Sequence, residues 1–411
     1  MTGTEASYCA RCNTQTSKTC QGCADASGFV NGATETFYCG GQCQKADWQA
    51  HKKTCKRLKT HKSLYQAAKV LRVLWLAFRT HSITTNVEKV EVEGHNITFW
   101  ETHGLCGCEH ALKPFPHHLF TDQKLKEAVL DCGACGHIYS IGHVVCSLLS
   151  EDLTSVEDIC DDLVEVKLGI VNKRYNIVYF QRANTSMPYE KCTSTNRYNN
   201  LSGESYRVQA ADRPTVHQVF RVRLKATQEY FVIDLSNAQF GFFDTVIPWE
   251  KYLLDRVSEV RTIDPLGTFD SVALGGRSMK SVRELDLKTF TAVRLEQLFE
   301  SWLCENHLTT TELIAMKGTP FADNCAELEQ HLSNGLNQTW KQAEQFCDLA
   351  WELRRDAALH SNHHELGEFL KKAGLWDRFR SPNNNRWFQS VLPGLTTLPP
   401  PTSSGSSTVV R

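Results

Sequence analysis

Seven cysteines and one histidine fall within residues 9–55 in the order Cys9-x2-Cys12-x7-Cys20-x2-Cys23-x15-Cys39-x3-Cys43-x7-His51-x3-Cys55. Zinc takes four thiolate or imidazole donors in a tetrahedron, so eight such donors make two closed sites. The x2 pairs suit tight knuckles whose backbone amides donate to sulfur, and the i, i+4 spacing of His51 and Cys55 puts both on one helix face. A segment this short has little core. Ligation should therefore supply most of its folding free energy, on the order of 10 kcal/mol per structural zinc. Closed sites leave no position for water or substrate, so these metals read as structural and not catalytic.

The run YCGGQCQKADWQAHKKTC over 38–55 resembles the second half of a MYND-type zinc finger almost residue for residue. That resemblance implies interleaved sites, with Cys9, Cys12, Cys39 and Cys43 on one zinc and Cys20, Cys23, His51 and Cys55 on the other. It also implies a recognition module that binds protein partners through short proline-containing peptides, with Trp48 and Gln49 the first positions to examine. MYND fingers also occur within SET-domain lysine methyltransferases, but the Asn-His-Ser-Cys signature of those enzymes does not occur here. The segments PFPHHLF (114–120), VFRVRLKATQEYFVIDLSNAQFGF (219–242) and PWEKYL (248–253) are similar to those of uncharacterised fungal MYND-finger proteins, which carry no known activity.

A second constellation lies farther on. Asp131-Cys132-Gly133-Ala134-Cys135-Gly136-His137 resembles the run around the nucleophile of papain-like proteases, and His217 and Asp234 follow. A loop of even length between the strands that carry them would put His217 and Asp234 on one face of a hairpin. A thiol, an imidazole base and a carboxylate orienter are the parts of cysteine-dependent acyl transfer, papain-like or transglutaminase-like. The plainer reading is a buried thiol and two strand residues, with no catalytic role. Gly136 stands where papain-like enzymes carry an aromatic residue. Cys106, Cys108, Cys132 and Cys135 form a further possible metal set, with His137 and His143 as substitutes, although a C-x-C pair is unusual for zinc.

The elements that must position these residues follow from periodicity. Apolar residues at helical spacing over 59–79 predict an amphipathic helix joining finger to body, and alternation over 87–101 around Gly94-His95 predicts a hairpin. Residues 123–150 read as helix broken at Gly133 and Gly136, and 161–182 as two strands. Residues 192–214 read as loop, and 216–224 with 229–235 as a hairpin across KATQ. From 285 to 374 the pattern is helical, with a capping box at Thr309 and Glu312 and a stop at Gly374. Trp302, Trp340, Trp351 and Trp376 in or beside this stretch read first as core and second as partner anchors. The tail 381–411, with Pro399-Pro400-Pro401 and Ser/Gly, cannot bury enough apolar area to fold alone. Its segment 393–401 is a candidate ligand for the finger of the same molecule or of another copy.

Composition sets the remaining bounds. A chain of 411 residues, 41% apolar and 22% charged with net charge −1, can bury a core and has no global field for nucleic acid or anionic membrane. The basic run 51–62 reads as a solvated helix face, which makes nucleic acid an unlikely partner. The apolar run over Val70–Phe78 is far short of a membrane span. The first thirty residues lack an apolar signal core, so the seventeen cysteines read as reduced thiols in the cytosol or nucleus. The expected architecture is α+β: a two-zinc finger at 9–55, a mixed central domain with an antiparallel sheet at 60–280, a helical region at 285–380 and a disordered tail at 381–411.

Overall fold

Apolar residues that recur along one side of a helix have to be covered by the rest of the molecule. Leu64, Val70, Leu71, Leu74, Trp75 and Phe78 meet that description, and in the computed structural model they lie buried at the centre of the protein. The structure describes residues 7–24, 26, 35–103, 112–149, 159–182, 190–192, 215–266, 279–355 and 360–375. The central helix, α1, spans Gly41–His81 and is longer than the helix expected over 59–79. One side of its first half is exposed; in its second half the expected apolar stripe is buried, while Lys69 on the opposite side is exposed.

The predicted hairpin is present as β1 (Thr85–Glu93) and β2 (Asn96–His103), antiparallel across Gly94-His95. Gly94 has φ +60°, which the tight turn requires and glycine adopts without strain. Helix α2 (Gln123–Asp131) is capped by Asp122, whose side chain accepts from Lys124 N at 2.8 Å. The chain then turns at Gly133 (φ +64°), passes through a 3-10 turn at Cys135–Ile141 and continues as α3 (Gly142–Leu149).

The next two strands, β3 (Cys160–Ile170) and β4 (Asn176–Arg182), do not pair with each other. Strand β4 lies parallel to β2 and antiparallel to β5 (Glu190–Cys192), in a mixed sheet of order β1-β2-β4-β5. Strand β3 instead joins a second sheet with β6 (Thr215–Leu224), β7 (Tyr230–Ile233), β8 (Val246–Pro248) and β9 (Val257–Pro265), in the order β8-β7-β6-β3-β9. All four of its pairings are antiparallel. Because side chains alternate along a strand, Phe220 and Val222 face α1 while Val219 and Val232 face the opposite cluster around Phe240 and Tyr252. Tyr252 comes from α4 (Trp249–Arg256).

Four helices complete the core: α5 (Met279–Glu305), α6 (Thr310–Ala315), α7 (Gly318–Arg355) and α8 (His360–Lys372). The capping box is formed, with Glu312 N donating to Thr309 Oγ1 at 3.1 Å and Thr309 N to Glu312 Oε2 at 2.8 Å. Gly374 (φ +69°) closes α8. Trp302 is buried, whereas Trp340 is 41% exposed. The fold is mixed α+β. Among the described residues, no helix is long and apolar enough to cross a membrane. The proline-containing tail, most of the loop expected over 192–214, Trp376, Cys106 and Cys108 lie outside the described residues.

Candidate functional site

The finger starts from short local turns. Asn13 N donates to Cys9 O at 2.9 Å with Asn13 at φ +58°, and Cys23 N donates to Cys20 O at 3.1 Å, which closes the two knuckles. Single bridges link Cys9 and Thr19 to Phe37 and so carry Cys39 alongside the knuckles. Helix α1 then supplies Cys43 from its first turn and His51 and Cys55 from one face.

The eight donors gather in two sets, Cys9, Cys12, Cys39 and Cys43, and Cys20, Cys23, His51 and Cys55, each with all donor atoms within 4.8 Å of one another. In the first set, Sγ–Sγ separations are 3.5 Å for Cys12–Cys39, 3.4 Å for Cys39–Cys43 and 3.7 Å for Cys12–Cys43. In the second, Cys20 and Cys55 sulfurs are 3.8 Å apart and Cys23 Sγ lies 3.5 Å from His51 Nε2. A tetrahedron with Zn–S bonds of about 2.3 Å has edges of about 3.8 Å. The chemistry and the spacing are those of two zinc ions.

The titration behaviour of the donors fits a cation as well. Burial pushes Cys23 far above the ordinary thiol range, and the neighbouring Cys55 and Cys20 add to it. Cys39 and Cys12 push Cys43 up to about 12. Cys9 and Cys12 run the other way: the backbone N–H of Cys39 holds Cys9 at about 6, against burial, with help from those of Cys12 and Arg11, and Thr14 lowers Cys12. Crowded thiols oppose each other's ionisation, and a divalent ion reverses that balance. Burial lowers the His51 pKa despite Asp47, which favours the neutral imidazole that ligates metal.

Several supporting residues carry no signal in the spacing of the donors. A Cβ at Gly22 would lie 2.9 Å from Cys55 Sγ, so glycine lets the Cys20–Cys23 knuckle close on the second set. Gln44 Nε2 donates to Cys20 Sγ at 3.4 Å, and Tyr38 packs edge-on to His51 while its hydroxyl donates to Asp47 at 2.6 Å. Trp48 and Gln49 are both exposed, Trp48 at 39%, on the helix leading to His51.

The finger is fastened to the body. Arg57 donates to Glu229 Oε1 at 2.7 Å, and His61 Nε2 lies 2.6 Å from Glu229 Oε2. Lys62 donates to Ala24 O at 3.3 Å and Lys317 to Gln21 O. Beside this junction opens a cleft of about 930 Å³ whose lining includes Tyr65 and Lys69 of α1, Tyr230 and Trp249. In the basic run, Lys52, Lys53, Lys56 and Lys59 are exposed.

The second constellation is also assembled. His217 Nε2 lies 2.9 Å from both Oδ1 and Oδ2 of Asp234, Tyr252 Oη donates to Asp234 Oδ2 at 2.8 Å, and Ser236 N donates to Oδ1 at 3.2 Å. Cys135 Sγ is 3.8 Å from Val216 O, beside His217. His217 and Asp234 are buried, and Cys135 is partly exposed. Tyr252 and the 3-10 turn Asn237–Phe240, which closes over His217 with Phe240 edge-on at 4.8 Å, are the parts that sequence spacing does not reveal. Of the alternative metal set, Cys132 is buried and Cys135 partly exposed, and Cys106 and Cys108 lie outside the described residues.

Compared with known proteins, the chain matches the family described as MYND finger over residues 9–55. No curated protein and no solved structure matches it.

Proposed function

We propose that this chain with its MYND finger is an adaptor that uses residues 9–55 to hold a partner peptide, with Cys9, Cys12, Cys39 and Cys43 on one zinc and Cys20, Cys23, His51 and Cys55 on the other. Fingers of this family commonly mediate protein–protein interaction. The observation that carries the reading is Trp48, a large aromatic left 39% exposed one turn from a metal-ligating histidine. Aromatic side chains account for a large share of binding energy at interfaces and form the floor of grooves that accept proline-containing peptides. The zinc ions serve structure, holding the two knuckles against α1 so that the exposed face keeps its shape.

The protein would work in the cytosol or nucleus, where thiols remain reduced and available to metal. Because α1 continues from the finger into the core, a bound peptide would be presented at a fixed angle to the rest of the molecule. The test is binding of a proline-containing peptide library to the full zinc-loaded chain and to Trp48→Ala. A selected peptide should lose at least about tenfold in affinity, about 1.4 kcal/mol, with zinc content unchanged. Equal affinity of the two proteins for every selected peptide would refute the assignment of this face.

A further inference from the structure

We propose that Cys135, His217 and Asp234 form a second, catalytic site that transfers acyl groups from carboxamide or ester donors through a thioester on Cys135.

A buried His–Asp pair by itself can be purely structural; the thiol beside it and an unpaired ring nitrogen are what give this pair a chemical use. Asp234 can only accept, and both its oxygens face His217 Nε2, so Nε2 carries a proton. The other ring nitrogen, Nδ1, is buried and has no hydrogen-bond partner. An unsatisfied buried polar atom costs free energy in a purely structural pair. The Cys135 thiol lies against the same strand, 3.8 Å from the carbonyl oxygen of Val216, the residue before His217. A nucleophile and base that meet only loosely in the resting protein are common, because their geometry tightens around the substrate.

The supports fix each member from a different element. Cys135 begins the 3-10 turn that packs on β6, and its thiol donates to Val216 O at 3.8 Å, next to His217. Asp131, at the end of α2 just before that turn, accepts from Arg72 at 2.9 Å, from Trp75 Nε1 at 2.8 Å and from Ala238 N at 3.3 Å. Arg72 also donates to Leu235 O, the neighbour of Asp234. One guanidinium therefore ties the segment bearing the thiol to the segment bearing the carboxylate. Tyr252 and Ser236 N fill the remaining acceptor sites of Asp234, leaving it a positioning residue with no freedom to rotate.

The chemistry balances without an external oxidant or metal. The thiol proton passes to His217 Nδ1, and the sulfur attacks the carbonyl carbon of the donor, forming a C–S bond and an oxyanion. Collapse of that adduct breaks the C–N or C–O bond, and the leaving group takes the proton from Nδ1. Water or an amine, deprotonated by Nδ1, then attacks the thioester. The C–S bond breaks, and Cys135 recovers its proton from His217. Asp234, bound to Nε2, stabilises the positive charge that the ring carries once Nδ1 has taken the proton. Access is from the sulfur end, since Cys135 is partly exposed and His217 and Asp234 are not.

The test uses the full zinc-loaded chain, with Cys304 as an internal control because it is exposed and outside both clusters. Limiting iodoacetamide at pH 6.5, read by peptide mass spectrometry, should alkylate Cys135 at least about tenfold faster than Cys304, because a base beside the sulfur takes its proton as it attacks. An activated aryl ester, p-nitrophenyl acetate, should leave an acetyl group on Cys135, released by hydroxylamine. In Asp234→Asn, the alkylation rate of Cys135 at pH 6.5 should fall at least about tenfold, to that of Cys304. Should that variant fail to fold, His217→Gln removes the ring nitrogen that takes the thiol proton and should lower the Cys135 rate in the same way. Alkylation of Cys135 no faster than Cys304, or acetyl groups spread without preference for Cys135, would overturn the proposal, and the wild-type comparison needs no variant.

Discussion

Arg72 Nη1 lies 2.9 Å from Asp131 Oδ2, and Arg72 belongs to the same helix that carries His51 and Cys55. The arginine interrupts the most apolar part of α1 because Asp131, fully buried, needs a cation. Burial raises the Asp131 pKa and Arg72 opposes the rise. Glu127, 2.6 Å from Arg72 Nη2, completes the cluster.

Replacing Arg72 by Met keeps the apolar stem and removes the charge. Asp131 would then be a buried acid without its counter-ion, a change that typically costs about 3–5 kcal/mol. Urea unfolding followed by tryptophan emission should show a loss of that size, since Trp75 donates to the same carboxylate. A loss below about 1 kcal/mol would mean that the cluster contributes only what a solvated surface pair does.

Zinc and core should separate experimentally. The second half of α1 is held by apolar contacts that include no metal donor, while the finger cluster consists largely of its own cysteines. Native mass spectrometry should find two zinc ions in the wild-type chain and one in Cys39→Ser. Chelation should make residues 9–55 susceptible to protease and leave the helices and sheets beyond about residue 64 protected. Loss of the whole cooperative transition on chelation would show that the core depends on the finger.

What could be read from the sequence depended on how local the cause was. The zinc donors were legible because metal chemistry fixes both residue type and spacing, and the turns at Gly94-His95 and 225–228 because alternation changes sharply there. The approach of His217 to Asp234 followed from strand geometry across one short loop. The continuity of α1 was hidden because its exposed lysines and its enclosed apolar run look like two elements, although the backbone hydrogen bonds ignore that change. The parallel pairing of β2 with β4 was invisible for another reason. Its partners come from separate segments, and nothing local in Asn96–His103 specifies a parallel neighbour over an antiparallel one. Tyr252 joined Asp234 only through the packing of α4 on the sheet.

Gly241 marks a close approach that a side chain would disturb. It has φ +78°, and a Cβ there would lie 2.8 Å from Arg174 Cβ and 3.0 Å from Tyr175 N. The contact joins the turn over His217 to the segment leading into β4, where Arg174 N and Tyr175 N both donate to Phe240 O. Gly241→Ala should lose about 1–2 kcal/mol from the left-handed backbone alone, with the clash adding to it. Chemical denaturation of the full chain measures the difference, and an unchanged midpoint would show that the turn relaxes freely.

The His217–Asp234 pair should give stability a direction with pH. Burial opposes the charge on His217, but Asp234 prevails, so its pKa rises from 6.5 to about 10 in the folded chain. The pair therefore contributes fully below 6.5 and loses that contribution as pH rises through 10. Asp234 runs the other way. Burial alone would raise its pKa, but His217, Tyr252 and Arg256 bring it below 3.8, so its contribution is present above 3.8 and fades as pH falls through the lower folded value. Tyr252, Arg256 and Cys135 are the other ionisable groups acting on the pair. Urea midpoints of the core should be highest near pH 5–6 and decline toward pH 10 more steeply in the wild type than in Asp234→Asn. Parallel declines in the two proteins would show that the histidine is neutral when folded, and the charge assignment at this pair would have to be reversed.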